Sequence, residues 1–303
     1  MRSRRPRTPR PSRPRALAAG ALALAVAVLA GGCSRTTEPV ERLGRQALGP
    51  GSASPSAPPA ARPSPSGPAA ADADAYRRWG LAAPPRFAPA PAVKPPLPAP
   101  AAPDQVPVVD RIPVPDGRRI VFLTFDDGAE KDPAFLRMAA DLKLPISMFL
   151  TDSVAGSDYG WFRALRDQGH GSVVNNHTLT HPNLRTLGAE AQKREICGQQ
   201  DRLAAAFGTR PALFRPPYGN HNADTLRAAK GCGLRAAVLW RASMQIHDLQ
   251  YAEGKGLRPG DIVLAHFRGP AELKGETEVE MTRELLRRIQ EQGYEIGRLE
   301  DWM

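Results

Sequence analysis

Apolar positions along this chain follow three different patterns. Between 16 and 32 they form one unbroken run of Ala, Leu, Val and Gly. From 36 to about 103 they lie scattered among Pro, Ala and Ser. From about 105 onward, short apolar runs alternate with stretches whose apolar residues recur every three or four positions. The first kind marks buried strands and the second amphipathic helices. The runs predict strands over 108–112, 119–125, 146–150, 171–174, 213–214, 235–240, 261–267 and 294–299. Pro107 and Pro113 confine the first of these to an edge. Pro115-Asp116-Gly117 supplies a turn after it. The periodic stretches predict a helix capped by Asp132, with Pro133 at its first position, running to about Lys143. Further helices are predicted over 159–168, 189–207, 223–230 and 277–292, the first three closed by Gly169, Gly208 and Gly231. Repeated strand–helix units imply parallel strands. A region of roughly 200 residues is near the lower end for a (β/α) barrel. The expectation is therefore an α/β domain over 105–303, a distorted or incomplete (β/α) barrel with parallel strands, preceded by a disordered Pro/Ala-rich linker over 34–104.

The linker has too little apolar mass to fold by itself. At about 3.1 Å per residue, some 70 Pro-rich residues reach roughly 200 Å, which suits a spacer. One island differs: Tyr76, Trp79, Leu81 and Phe87 are expected to dock on the folded domain, the alternative being an exposed linker with stray aromatics. Ahead of the linker, residues 1–33 read as a signal peptide, with a basic start, an apolar run and a small-residue end. At about 17 residues the run is marginal for spanning a bilayer. Leu29-Ala30-Gly31-Gly32-Cys33 resembles a bacterial lipobox, which implies a lipid on Cys33 and a place on the outer face of the bacterial cell membrane. An ordinary secretory signal and an uncleaved anchor are the alternatives.

Net charge changes little in this picture. The chain totals +10, but seven of its 41 basic residues lie in the first 33 positions, where there is no acid. The rest is close to neutral and has no concentrated basic stripe, so composition argues against nucleic acid as the partner.

Four stretches carry candidate chemistry. The strand 119–125 runs into Asp126, Asp127 and Gly128. Function in α/β folds sits where strands end, and two adjacent acids repel unless something positive lies beside them. A divalent metal is the simplest solution; a turn or helix cap is the bland one. Next, Asn175-Asn176-His177-Thr178-Leu179-Thr180-His181 places two histidines four apart, facing one way if they share a helical turn. With Asp127 they make two imidazoles and a carboxylate, leaving coordination positions open as a catalytic metal needs. Third, Phe214-Arg215-Pro216-Pro217-Tyr218-Gly219 locks backbone after a strand. Such backbone can present an N–H to developing negative charge, and Arg215 can pair with a carboxylate. Last, His266 ends an apolar strand.

Together these stretches resemble the NodB-homology polysaccharide deacetylases of carbohydrate esterase family four: T-F-D-D-G, N-H-T-L-T-H-P, R-P-P-Y and L-A-H stand in family order over about 120–301. The resemblance implies a divalent metal, usually zinc, held by Asp127, His177 and His181. It implies Asp126 as general base with Arg215 as its partner, His266 as general acid, and the backbone N–H of Tyr218 on the oxyanion. The substrate implied is a polysaccharide carrying N-acetyl groups, with peptidoglycan favoured by the anchor and spacer and chitin-like oligomers next. The expected state is a monomer.

One departure matters. The family carries an Asp-x-x-Asp-Trp-like segment after the strand that ends here at Trp240, and one of its acids charges the catalytic histidine. This chain reads Arg241-Ala242-Ser243-Met244-Gln245-Ile246-His247-Asp248, so Asp248 is the nearest substitute. The departure keeps open an acetyl ester substrate such as acetylxylan and a carbohydrate-binding relative without turnover. An iron oxygenase shares the two-histidine, one-carboxylate set, but the spare base Asp126 speaks against it. Cys197 and Cys232, on helices flanking neighbouring strands, are expected to form a disulfide; two free buried thiols are the alternative.

Overall fold

The computed structural model describes residues 74–303. The expectations for the signal peptide, for Cys33 and for the linker up to 73 lie outside the described residues. In order, the elements are α1 (Ala75–Arg78), β1 (Val108–Val109), β2 (Ile120–Asp127), α2 (Pro133–Leu142), β3 (Ser147–Leu150), α3 (Asp152–Ala155), α4 (Tyr159–Arg166), β4 (Val173–Asn176), α5 (Ala189–Phe207), β5 (Leu213–Phe214), α6 (Ala223–Gly231), β6 (Ala236–Val238), β7 (Ala242–Met244), β8 (Leu249–Tyr251), β9 (Ile262–His266), α7 (Glu278–Glu291), β10 (Glu295–Gly297) and α8 (Leu299–Trp302).

The strands follow the order β1-β6-β5-β4-β3-β2-β9-β7-β8, with β10 beside β2. Every pairing is parallel except the β7–β8 hairpin. This is the incomplete barrel expected, curled and flanked by helices. Just past β1, Arg111 bridges to Asp261 and the N–H of Ile112 reaches the carbonyl of Gly260 at 2.9 Å. Strand β2 shows how the sheet is filled. Val121, Leu123 and Phe125 join one apolar core, which also holds Phe135, Met138, Leu285 and Ile289 of the helices. Ile120 and Phe122 join a second, inside the curl, capped by Trp302, whose ring meets Phe122 edge-on at 5.8 Å. Because successive side chains alternate faces, the inner column of β2 reads Ile120, Phe122, Thr124, Asp126. It turns from apolar to polar as the strand approaches its C-terminal end.

Local signals set most helix ends. The Asp132 carboxylate accepts from the N–H of Ala134 with Pro133 in the first turn, and Lys143 closes α2 in the left-handed conformation. Asn222 and Thr225 form a capping box at α6, and Thr277 and Glu280 form another at α7.

The island ahead of the barrel docks. Leu81 is 4% exposed, Tyr76 and Trp79 pack on the first core, and the Trp79 indole N–H donates to Asp141 at 2.9 Å. Phe87 pairs with Ile296 beside β10 and remains 39% exposed. Packing onto the domain thus begins near Ala75, not at Gln105, because four large side chains outweigh the Pro-rich composition around them. The β7–β8 hairpin and α8 have no counterpart in the sequence expectations. Cys197 of α5 and Cys232 at the end of α6 are joined in a disulfide, with 5.1 Å between their Cα atoms.

Candidate active site

The inner columns of β2, β4, β5 and β9 end at one mouth. Asp126 and Asp127 close β2, and Asp127 has a positive φ of 71° that turns its carboxylate away from the ladder. His177 follows β4, whose last residue Asn176 lies opposite Phe214 of β5. His266 ends β9 in register with Asp126.

The two histidines do not share a helical turn. Residues 177–183 form a loop, with positive φ at Thr178 (72°) and His181 (59°). Hydrogen bonds hold this loop in place of a helix. The Asn176 Oδ1 accepts from the N–H of Thr178 at 2.9 Å. Glu195 of α5 accepts from both the N–H and the hydroxyl of Thr180, at 2.9 and 2.8 Å. The N–H of Leu179 donates to the Glu195 carbonyl. The outcome for the side chains is still convergence, with the imidazole rings 4.9 Å apart.

Asp127 Oδ1 lies 3.5 Å from His177 Nε2 and 3.3 Å from His181 Nε2. It is buried and has no hydrogen-bond partner among the described residues. A buried carboxylate oxygen left unpaired is costly, so the three atoms converge on a point that a cation would satisfy. The ligand atoms of Asp127, His177 and His181 all lie within 4.8 Å of one another. His177 is oriented for this, because its Nδ1–H donates to the carbonyl of Arg215 at 2.7 Å and leaves Nε2 as the free lone pair. Burial drives that imidazole down to about 3, so it is neutral at neutral pH. Two imidazoles and one carboxylate suit a divalent ion of the zinc type. The residues present therefore fit a metal.

Beside this group, Asp126 and Arg215 form a buried pair. The Arg215 Nη1 donates to Asp126 Oδ1 at 2.6 Å and to the Thr124 hydroxyl at 2.8 Å, and its Nε donates to the carbonyl of Val238 at 3.1 Å. The guanidinium also lies 4.2 Å from the centre of the Phe149 ring. Burial pushes the Asp126 carboxyl up to about 6, while Arg215 pulls it the other way. The second oxygen of Asp126 remains 3.6 Å from His177 Nε2. Asp126 is thus an oriented carboxylate beside the candidate metal group.

Tyr218 has φ 60° within a short turn at Pro217–Gly219, and its ring packs on His181 with centroids 4.7 Å apart. The backbone is bent here by Pro216 and Pro217, both trans. His266 sits across the mouth. Burial first, then the charge of Arg268, brings it down to about 2. No acid acts on it. Asp248 lines the same cleft as His266 but is exposed and makes no side-chain hydrogen bond among the described residues. The substitute acid expected at Asp248 is thus not delivered, because the β7–β8 turn carries it to the surface.

Several contributors escaped the sequence reading. Thr124 was legible as the residue two before Asp126 on the same strand face. Arg268 stands two after His266 by the same rule. Glu195 had no local signal, since it lies on a helix 14 residues beyond His181.

The chain matches the model of the polysaccharide deacetylase family over residues 114–237. It is 46% identical over 201 residues to an uncharacterized protein of Streptomyces coelicolor, covering 65% of this chain and 77% of that one. It is 30% identical over 171 residues to a chitooligosaccharide deacetylase of Sinorhizobium fredii, covering 54% of this chain and 78% of the relative. The fold is shared with a solved family 4 carbohydrate esterase from Bacillus anthracis, with TM-score 0.52 and 21% identity over 64% of this chain and 86% of that one. By its family model and by the relatives it spans, this chain belongs to the polysaccharide deacetylases, the NodB-homology hydrolases of carbohydrate esterase family four.

Proposed function

We propose that this protein removes N-acetyl groups from a cell-envelope glycan, with peptidoglycan first and chitin-like oligomers next, using a zinc-type divalent ion. The observation that carries this reading is the unpartnered Asp127 Oδ1 between two imidazoles, directly beside an Arg215-held Asp126. The chitooligosaccharide deacetylase among its relatives supports the amide as the bond cleaved. The lipobox-like stretch and the Pro-rich spacer support an envelope location.

Asp127, His177 and His181 would hold the ion. When bound, it would polarise the acetamide carbonyl and lower the pKa of a water. The remaining work falls to this chain. Asp126 takes the water's proton as general base, and Arg215 and Thr124 fix the carboxylate's direction. The backbone N–H of Tyr218 stabilises the oxyanion of the tetrahedral species. His266 would protonate the departing sugar amine, since an amide anion cannot leave, and this role requires bound substrate to raise its imidazole well above the value of about 2 that burial sets. General acid–base help of this kind is worth roughly 10²–10⁴ in rate.

A second reading has its own observation. Burial and Arg268 hold His266 neutral and it has no acid partner among the described residues, and an acetyl ester has a better leaving group that needs little help from an acid. The test is acetate release by the zinc-loaded full chain from acetylated peptidoglycan, chito-oligosaccharides and acetylxylan, with Asp126→Asn as control. Release from the first two, lost in the control, establishes the amide reading. Release from acetylxylan alone transfers it to the ester. No release from any of them, with zinc bound, leaves a binding protein.

A further inference from the structure

Past His266 the mouth opens into a cleft of about 510 Å³. That is far more than an acetyl group needs and falls in the range of ligand sites. One wall is the β7–β8 turn, where this chain lacks the acids usual in its family. The other is the loop between β9 and α7. The floor is apolar, with Met244, Leu273 and Met281 buried.

Arg268 stands at the inner end. Phe267 is fully buried among Phe125, Phe135, Trp161 and Phe162. Alternation along the strand therefore sends His266 and Arg268 to the other side, both lining the cleft. The Arg268 Nη2 is 3.9 Å from Asp127 Oδ2, and the side chain is 36% exposed. It makes no hydrogen bond among the described residues. A guanidinium offers five donors in a fixed fork that matches a carboxylate. The acids of the cleft do not meet this demand. Glu276 pairs with His247 at 3.6 Å across the opening, while Asp248 and Glu272 are exposed, where water screens them. Lys274 is the other cation of the rim and is exposed as well.

We infer that this cleft is a glycan subsite in which Arg268 recognises a carboxylate carried by the acetylated sugar or by its neighbour. The inference rests on the deacetylase reading and narrows it to glycans with acid-bearing sugars, such as those with a lactyl ether. A neutral chitin-like chain leaves the Arg268 fork facing water. A carboxylate-bearing chain closes it with two charge-assisted hydrogen bonds.

The test separates recognition from reaction. Zinc-loaded full-chain Asp126→Asn protein is titrated calorimetrically with a muramyl-containing glycan fragment and with the same fragment converted to its carboxamide. The free acid is expected to bind about 10–100-fold more tightly. Adding Arg268→Gln should erase that difference, and Arg268→Lys should keep part of it because charge remains without the fork. Equal binding of acid and carboxamide, or a difference that survives Arg268→Gln, overturns the inference. If the difference holds and falls with Arg268→Gln while native protein releases no acetate from any glycan, the subsite stands and the reaction reading falls. If acetate is released but acid and carboxamide bind alike, the reaction stands and the subsite falls.

Discussion

The two walls of the mouth are built to different standards. On the β2–β4–β5 side, each reactive group is held by a second group, itself fixed by backbone. The Arg215 carbonyl holds His177, Glu195 holds the loop that carries His181, and Arg215 with Thr124 holds Asp126. On the β9 side, burial and the nearby Arg268 hold His266 neutral, and the hairpin and loop around it carry the exposed His247, Asp248, Glu272 and Lys274. The first wall is organised for one geometry, as metal ligands and a base require. The second is open enough to vary with the substrate. The difference puts the candidate metal group and base on the packed side and the proposed subsite on the loose side.

Four changes would break or sharpen this contrast. The largest effect belongs to Asp126→Asn, which should lower acetate release about 10²–10⁴-fold while zinc stoichiometry, measured by atomic absorption, stays near one. Since a base must be ionised to act, native activity should fall as pH drops. Burial, partly offset by Arg215, puts that limb near 6, and a bound cation moves it lower. Loss of zinc in this variant would instead make Asp126 part of the metal group. Behind the same wall, the Cys197–Cys232 bond closes 35 residues between α5 and α6, and Cys197 lies two residues from Glu195. Reduction should cost about 3–4 kcal/mol in urea unfolding. Unchanged unfolding would show that the wall's rigidity comes from packing alone.

Glu195→Ala removes the fork on Thr180 and should weaken zinc affinity about 10–100-fold by competition with a chelator. An unaltered affinity would mean that the positive φ angles at Thr178 and His181 suffice to shape the loop. The smallest effect is a ratio. His266→Ala should slow amide cleavage more than cleavage of an acetyl ester, by about tenfold, since only the amine needs a proton to leave. Equal losses on both substrates would assign His266 to binding and remove the contrast between the walls.

The sequence and the structure agree most closely where a local signal was strong. Asp132-Pro133 marks the start of α2, and Gly208 the end of α5, because a cap and a left-handed turn are decided within a few residues. The parallel alternation of strands and helices is likewise legible in periodicity. The His177–His181 pair shows the opposite case: spacing suggested a helical turn, while a local bond from Thr178 to Asn176 and one from Thr180 to Glu195, fifteen residues on, impose a loop. The docking of 75–87 also depends on the far side of the fold, since Trp79 answers Asp141 and Phe87 answers Ile296.

Amino-acid order alone therefore determined the element types, the strand ends that carry Asp126, Asp127, His177 and His266, and the family they spell. Only tertiary structure decided that Asp127 Oδ1 stands unpaired between two imidazoles among the described residues, that Asp248 is left exposed at the cleft, and that Arg268 lies within 4 Å of Asp127. The first group rests on interactions spanning a few residues, which sequence records directly. The second rests on how β2, β4, the hairpin and the β9–α7 loop come together across separations as long as about 140 residues, where position is set by the packing of the whole sheet.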